Sequence, residues 1–417
     1  MKNYRPRVVD GELARRMRVM GAMLIDGPKA VGKTQTATQL AKTVLRIDLD
    51  RAARAVLETV PTRLFEYPTP ILFDEWQETP ELWNLTRRAV DDRQDKGLYL
   101  LTGSATPRDD TRLHSGAGRI GRLRMRPMTL FESGHSDGSV SLSALLNGET
   151  DFKCAHSLTI EQLLERIVVG GWPEITGWDV PDAREWLGDY LRNLAEVDLP
   201  RLGPRRNPRN VARLMASLGR AVGTPLNRRA LGVEVGGDRG ALAAETMNHY
   251  LDALDRLMLI EPLPAWQPHM RSRTRLRRTP VHHFVDPSIG VTALGAGPQE
   301  LLNDLNATGF HFESMALRDL RVYAQPLRAT VSNWRDSQTT REVDAVVELP
   351  NGKWAAFEFK LGEGATDAAA ASLLDFASRI DTERHGEPAA LVVVNGGRFA
   401  MHRKDGVTVV PLAALGP

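Results

Sequence analysis

Cysteine is almost missing from this chain: Cys154 stands alone among 417 residues, which excludes an intramolecular disulfide and a cysteine-rich zinc site. No apolar run approaches the roughly 18 residues that a membrane-spanning helix needs. The N-terminal Met1-Lys2-Asn3-Tyr4-Arg5-Pro6-Arg7 has no apolar core behind its basic residues, so a secretory leader is not expected either. An excess of one charge is lacking too. The 54 Lys and Arg against 52 Asp and Glu leave a net charge of +2, so overall charge gives no argument for nucleic acid. Hydrophobic residues at 42% and charged ones at 25% are ordinary globular values. The length suggests about two to four domains with ample buried cores, and the expected compartment is the cytoplasm.

What is present begins with Gly27-Pro28-Lys29-Ala30-Val31-Gly32-Lys33-Thr34, followed by Gln35, a full match to GxxxxGK[ST]. The apolar run Ala22 to Ile25 before it reads as a short buried strand, and Thr36 to Val44 after it as a helix. Strand, loop and helix are the context that a phosphate-binding loop requires. In such a loop the backbone N–H groups surround the α and β phosphates, and the helix N-terminus adds partial positive charge. Gly27 and Gly32 allow the tight turn, Lys33 reaches the β and γ phosphates, and the Thr34 hydroxyl coordinates Mg²⁺.

Downstream, Ile71-Leu72-Phe73-Asp74-Glu75 is an apolar strand ending in two carboxylates. That pattern fits a Walker B strand in which Asp74 holds the Mg²⁺ and Glu75 orients and deprotonates the attacking water. Both residues would otherwise serve only as caps for a helix expected over Pro80 to Val90. The next buried strand, Leu98 to Ser104, places Thr102 and Ser104 where a hydroxyl senses the γ phosphate. Arg122, Arg124 and Arg126 alternate with Leu123 and Met125 and share one strand face. Arg119 precedes that strand and is the candidate arginine finger for a neighbouring subunit. A solvated basic face is the other reading of these arginines.

The order Tyr4-Arg5-Pro6-Arg7, phosphate loop, Leu72-Phe73-Asp74-Glu75, Leu101-Thr102-Gly103-Ser104, Gly118-Arg119 and Leu130-Phe131-Glu132 resembles bacterial and archaeal AAA-type ATPases with a C-terminal domain of unknown function. The resemblance covers nearly the whole chain. It implies an AAA-type P-loop domain, then a winged-helix-like region, then a fold similar to PD-(D/E)xK nucleases. One departure is Lys29, where the family usually has arginine.

Texture divides the remainder. Ser133 to Ser141 is small and polar and reads as a surface loop. Leu158 to Val168, Asp182 to Glu196 and Val211 to Val222 have helical apolar spacing, and Gly170-Gly171-Trp172-Pro173, which resembles a signature of the same family, reads as a turn. Helices over Leu226 to Val233 and Leu242 to Leu257, with strands Met258 to Pro262 and Val281 to Val285, suggest a helix-turn-helix with a wing. Between those strands Arg271, Arg273, Arg275 and Arg277 alternate on an extended segment suited to a phosphate backbone. Arg201, Arg205, Arg206, Arg209 and Arg213 form a second basic cluster. A solvated face, or docking of an acidic protein, is the competing explanation.

A further constellation lies near the C-terminus. Glu313 falls in a helix over Phe310 to Leu320, Asp344 in a strand Glu342 to Leu349, and Glu358 and Lys360 in a strand Trp354 to Lys360. Asn351-Gly352 is a strong hairpin turn between those strands. A helix Asp367 to Ile380 and a strand Ala389 to Val394 complete an α-β-β-α-β order. The spacing of Asp344, Glu358 and Lys360 resembles the PD-(D/E)xK signature. There Glu313, Asp344 and Glu358 would ligate Mg²⁺, and Lys360 would position the attacking water, in a nuclease reaction. Carboxylates and lysines also alternate on many exposed hairpins, and a fold kept only for binding has the same pattern.

The expected molecule is an α/β protein of three parts. They are an AAA-type P-loop NTPase with a parallel sheet core (1–135), a helical and winged-helix middle (150–300) and a restriction-endonuclease-like α/β domain (305–417). Its expected cofactors are ATP and Mg²⁺. DNA or RNA, a protein partner and further copies of this chain are the candidate partners, with no role for a membrane. The expected output is either an ATP-controlled action on nucleic acid or an ATP-driven switch whose nuclease-like domain is silent.

Overall fold

The computed structural model describes residues 4–103, 115–152, 157–202, 206–266, 279–336 and 341–417. Two compact units emerge. The first comprises Met1–Arg126 with Arg201–Pro204 and Ala253–Met258, and the second Pro127–Pro200, Arg205–Asp252 and Leu259–Pro417. The expected middle region and C-terminal domain thus fall largely within one unit.

In the first unit α1 (Val9–Met17) leads to β1 (Ala22–Asp26), α2 (Lys33–Thr38), β2 (Thr43–Arg46), α3 (Arg51–Thr59), β3 (Ile71–Asp74), α4 (Glu81–Arg93), β4 (Tyr99–Gly103) and β5 (Ile120–Arg124). The strands lie side by side in the order β2-β3-β4-β1-β5, all parallel. The inner strands β1, β3 and β4 are buried along their whole length, which is why they read as continuous apolar runs. One face packs Phe65, Phe73 and Tyr99 ring against ring, with Trp76 on Trp83 beside them. Parallel strands bring their C-terminal ends, Asp26, Asp74, Gly103 and Arg124, to a single edge of the sheet, where open α/β sheets bind ligands.

The helix expected over Thr36 to Val44 is not formed at that length: α2 stops at Thr38, and Thr43–Arg46 is an edge strand paired with Ile71–Asp74. Its threonines at 34, 36 and 38 are weak helix formers, and the β-branched pair Thr43 and Val44 favours the pleated edge.

Beyond residue 126 the chain runs through α5 (Leu130–Ser133), β6 (Val140–Ser141), α6 (Leu142–Leu146), α7 (Ile160–Val169), α8 (Val180–Asn193), α9 (Leu199–Arg201), α10 (Pro208–Arg220), α11 (Arg228–Gly236), α12 (Ala244–Arg256), α13 (Pro287–Ala293), α14 (Pro298–Asn303) and α15 (Leu305–Ala324). Next come β7 (Thr330–Arg335), β8 (Glu342–Glu348), β9 (Trp354–Lys360), α16 (Thr366–Ala377), α17 (Thr382–His385), β10 (Ala390–Asn395), β11 (Met401–His402), β12 (Val407–Pro411) and β13 (Leu415–Gly416). Six of these strands form a mixed sheet ordered β11-β12-β10-β9-β8-β7. The β8–β9 hairpin turns at Asn351-Gly352, with Gly352 at φ +84°, a left-handed conformation that glycine adopts at no steric cost. Helix α16 covers the sheet through Leu373 and Phe376, which pack with Trp266, Val346 and Trp354. The expected α-β-β-α-β order corresponds to α15, β8, β9, α16 and β10; β7, β11 and β12 extend the sheet. The wing strands are weaker than expected, since 258–262 and 281–285 meet only at isolated antiparallel bridges such as Ile260 with Phe284.

Gly170-Gly171-Trp172 is more than a turn. Gly171 N–H donates to Asp286 Oδ2 at 3.0 Å and Trp172 Nε1 to Ser288 Oγ at 3.0 Å. A Cβ on Gly170 would lie 2.4 Å from Asp286 Oδ1, and one on Gly171 2.0 Å from the Met128 carbonyl. Asp286 is in turn held by Arg318, whose guanidinium lies 2.8 Å from Asp286 and 2.7 Å from Asp319, all three buried. Asp319 also accepts the Leu130 N–H at 3.0 Å.

Candidate nucleotide site and C-terminal charge cluster

The loop after β1 is wound by three left-handed or extended-positive residues, Gly27 (φ +152°), Ala30 (φ +64°) and Gly32 (φ +94°). Gly27 has no room for a side chain, because a Cβ there would sit 2.2 Å from the Met125 carbonyl. Lys33 opens α2 and is buried, with Nζ donating to the Gly27 and Pro28 carbonyls at 2.9 and 2.7 Å. Burial lowers this ammonium to about 8, against the upward pull of Glu75, Asp26 and Asp74.

Asp74 ends β3 beside Thr102 of β4, its register partner. Thr34 Oγ1 donates to Asp74 Oδ1 at 2.8 Å, and Thr102 Oγ1 donates to the same oxygen. One carboxylate thus gathers two hydroxyls from two elements. The residues fit a hard divalent cation by donor type, since all three offer oxygen. Glu75 follows in the left-handed region (φ +55°, ψ +44°), a costly conformation for a non-glycine residue. Burial raises its carboxyl above the ordinary value, opposed by a hydrogen bond from Gln77 Nε2 and by Lys33.

The structure therefore brings together Gly27 to Gln35, Asp74, Glu75 and Thr102. Ser104 lies outside the described residues. Arg119 is not brought to this loop: its carbonyl accepts the Ala22 N–H at the opposite end of the strands, and its Nε pairs with Asp91 Oδ1 at 2.8 Å. Arg124 does reach the loop end, with Nε 3.1 Å from Asp26 Oδ1. Two contributors escaped the sequence reading. Gln77, two residues past Glu75, lies in no motif, and nothing in Tyr4-Arg5-Pro6-Arg7 signals that Arg7 Nη1 donates to the Val31 carbonyl of the loop at 2.8 Å.

The second cluster lies on β8, β9 and α15. Lys360 Nζ is 2.6 Å from Glu358 Oε2 and 3.3 Å from Asp344 Oδ2, and Phe359 N–H donates to Asp344 Oδ2 at 2.8 Å. Burial and Asp344 push Glu358 up to about 8. Glu313 is raised well above the usual range, by burial first and then by Asp344, and His283 Nε2 lies 3.7 Å from its Oε1. Glu313, Asp344 and Glu358, the ligands that the resemblance implies, lie close enough for their charges to act on one another. Lys360 is seated between two of the carboxylates, and among the described residues no group of three or more His, Cys, Asp or Glu side chains is arranged to hold a metal ion.

The basic segments fare differently. Arg271, Arg273, Arg275 and Arg277 lie outside the described residues, as does Arg205. Arg206 is buried and donates to the Leu199 and His249 carbonyls at 3.0 Å each, so it serves the fold rather than a basic face. Among the described residues no helix is long and apolar enough to cross a membrane.

Comparison with known proteins adds three family matches. Residues 20–133 match an AAA domain, residues 160–300 a domain of unknown function (DUF8612), and residues 308–415 another (DUF4143). The chain thus contains an AAA-type ATPase domain and a DUF4143 domain, and the latter match carries no nuclease assignment. Two uncharacterized proteins, from Mycobacterium bovis and Mycobacterium tuberculosis, are each 25% identical over 349 residues, covering 81% of this chain and 70% of theirs. Among solved structures, the helicase domain of Pyrococcus furiosus Hef aligns at 11% identity over 94% of this chain and 89% of that one, with a TM-score of 0.20, too low to imply a shared fold.

Proposed function

We propose that this protein is a Mg²⁺-dependent ATPase of AAA type. The reading rests on the meeting of Lys33, Thr34, Asp74, Glu75 and Thr102 at the C-terminal edge of one parallel sheet. Lys33 moves its ammonium from the Gly27 and Pro28 carbonyls onto the β and γ phosphates. Thr34 and Asp74 would hold the Mg²⁺, which when bound neutralises charge developing on the phosphoryl oxygens. Glu75 accepts the proton of the attacking water, a task suited to a carboxyl raised by burial. Thr102 orients Asp74 and faces the γ-phosphate position. Arg119 points away from its own loop, so any finger role belongs to the loop of a neighbouring copy.

The test is direct. Lys33→Ala should abolish nucleotide binding, while Glu75→Gln should bind ATP and hydrolyse it about 10² to 10⁴ times more slowly. Wild-type turnover in either variant would sink the assignment.

For the output of the ATPase, one reading of the Asp344, Glu358 and Lys360 cluster is a phosphodiester-directed site. In that reading Asp344 and Glu358 would hold a divalent metal that polarises the phosphodiester, and Lys360 would steady the charge of the attacked phosphate. The competing reading leaves Lys360 paired with both carboxylates and makes the domain a silent scaffold that ATP hydrolysis moves.

A further inference from the structure

The N-terminal segment before α1 is bonded into the phosphate loop through one side chain. Arg7 is only 7% exposed. Its Nη1 donates to the Val31 carbonyl at 2.8 Å and its Nη2 to the Arg126 carbonyl at 2.7 Å. The segment is fixed in turn: Arg7 N–H donates to Asp10 Oδ2 at 2.8 Å, Tyr4 OH to Asp10 Oδ1 at 2.7 Å, and Tyr4 OH lies 3.0 Å from Thr36 Oγ1 in α2. Met125 N–H donates to the Asp26 carbonyl at 2.7 Å, and the Met125 carbonyl abuts Gly27. One guanidinium therefore ties the apex of the loop to the strand exit that supports the loop's start.

The geometry has a chemical consequence. In a trans peptide the C=O of one residue and the N–H of the next point in opposite directions. Holding the Val31 carbonyl toward Arg7 turns the Gly32 N–H away from Arg7. Gly32 stands at φ +94° and ψ +18°, and glycine, with no Cβ, has many other conformations open to it, so a fixed neighbouring carbonyl narrows the choice. We propose that Arg7 is a positioning residue for nucleotide binding: by fixing the Val31 carbonyl it aims the Gly32 amide at the β phosphate. The proposal rests on the ATP reading above. Because a β phosphate is present in both nucleotides, it applies equally to ADP and ATP.

The experiment measures ADP and ATP affinity and steady-state turnover of the full-length chain for wild type, Arg7→Ala, Arg7→Lys and Lys33→Ala. Lysine can reach one of the two carbonyls but not both. Loss of one charge-assisted amide contact weakens binding about tenfold or more. Both Arg7 variants should lose ADP and ATP affinity by that factor while turnover at saturating ATP stays within about threefold. Millimolar guanidinium should restore binding to Arg7→Ala and not to Lys33→Ala, a response that general loosening of the fold would not give. Should Arg7→Ala fail to fold, Arg7→Lys carries the comparison. The idea is overturned if folded Arg7 variants bind both nucleotides like wild type, or if guanidinium restores nothing. If wild type binds neither nucleotide, or Lys33→Ala binds them equally well, the ATPase reading itself fails and takes this proposal with it.

Discussion

Lys33 carries a charge that costs free energy until phosphate arrives. With its ammonium lowered to about 8 in the free protein, proton and nucleotide binding are linked. Bound phosphates raise the ammonium again, so binding above pH 8 takes up a proton. ADP affinity should therefore be level below about pH 8 and fall as pH rises beyond it, by at most about tenfold per unit. A Lys33→Arg variant, charged throughout, should show a flat profile wherever it still binds. Isothermal titration between pH 7 and 10 reads both curves, and a wild-type affinity that rose with pH would reverse the sign. At this scale the sequence was legible where a motif fixes both residue type and spacing, as for Lys33, Thr34, Asp74 and Glu75. Arg7 and Gln77 were not legible as contacts, because their partners are backbone carbonyls or a carboxylate whose positions depend on how the chain folds back.

Among elements, buried strands announced themselves and short edge elements did not. β1, β3 and β4 carry their own apolar runs, whereas β2 is a strand only because β3 lies beside it; in isolation its residues read as the tail of a helix. The same dependence governs α13, α15 and the Gly170-Gly171 segment. Their shared ionic group, Asp286 with Arg318 and Asp319, unites residues far apart in sequence and carries no local pattern. Replacing Arg318 by Leu leaves two buried carboxylates without their cation and should destabilise the second unit by about 3–5 kcal/mol. Urea unfolding followed by tryptophan fluorescence measures this. A loss below about 1 kcal/mol would mean that water reaches the carboxylates.

Over the whole molecule, the two proposed outputs separate in one assay. The full chain is incubated with plasmid, single-stranded DNA and RNA, with Mg²⁺ or Mn²⁺, with and without ATP. The phosphodiester reading expects metal-dependent cleavage that disappears in Glu358→Ala and in Lys360→Ala. An intact substrate under every condition leaves the scaffold. The grouping of Asp344 with Glu358 and Lys360 was legible only through the resemblance of their spacing to the PD-(D/E)xK signature, while period-two alternation put Glu358 and Lys360 on one face. The sequence did not reveal that the lysine would sit between the carboxylates, because that depends on burial on both sides of the hairpin.

The small strand β13 pairs in parallel with β6, joining Leu415 to Val140 and Gly416 to Ser141, and Ser136 Oγ donates to the Leu415 carbonyl at 2.8 Å. During synthesis, residues 136–141 leave the ribosome long before their partner exists. Domains generally fold as units during synthesis, and loops of such length close slowly. The second unit is thus completed only after residue 416 has been made, whereas the β1 to β5 sheet of the first has all its strands by residue 124. The sheet that bears the phosphate loop can form while most of the second unit is still unmade.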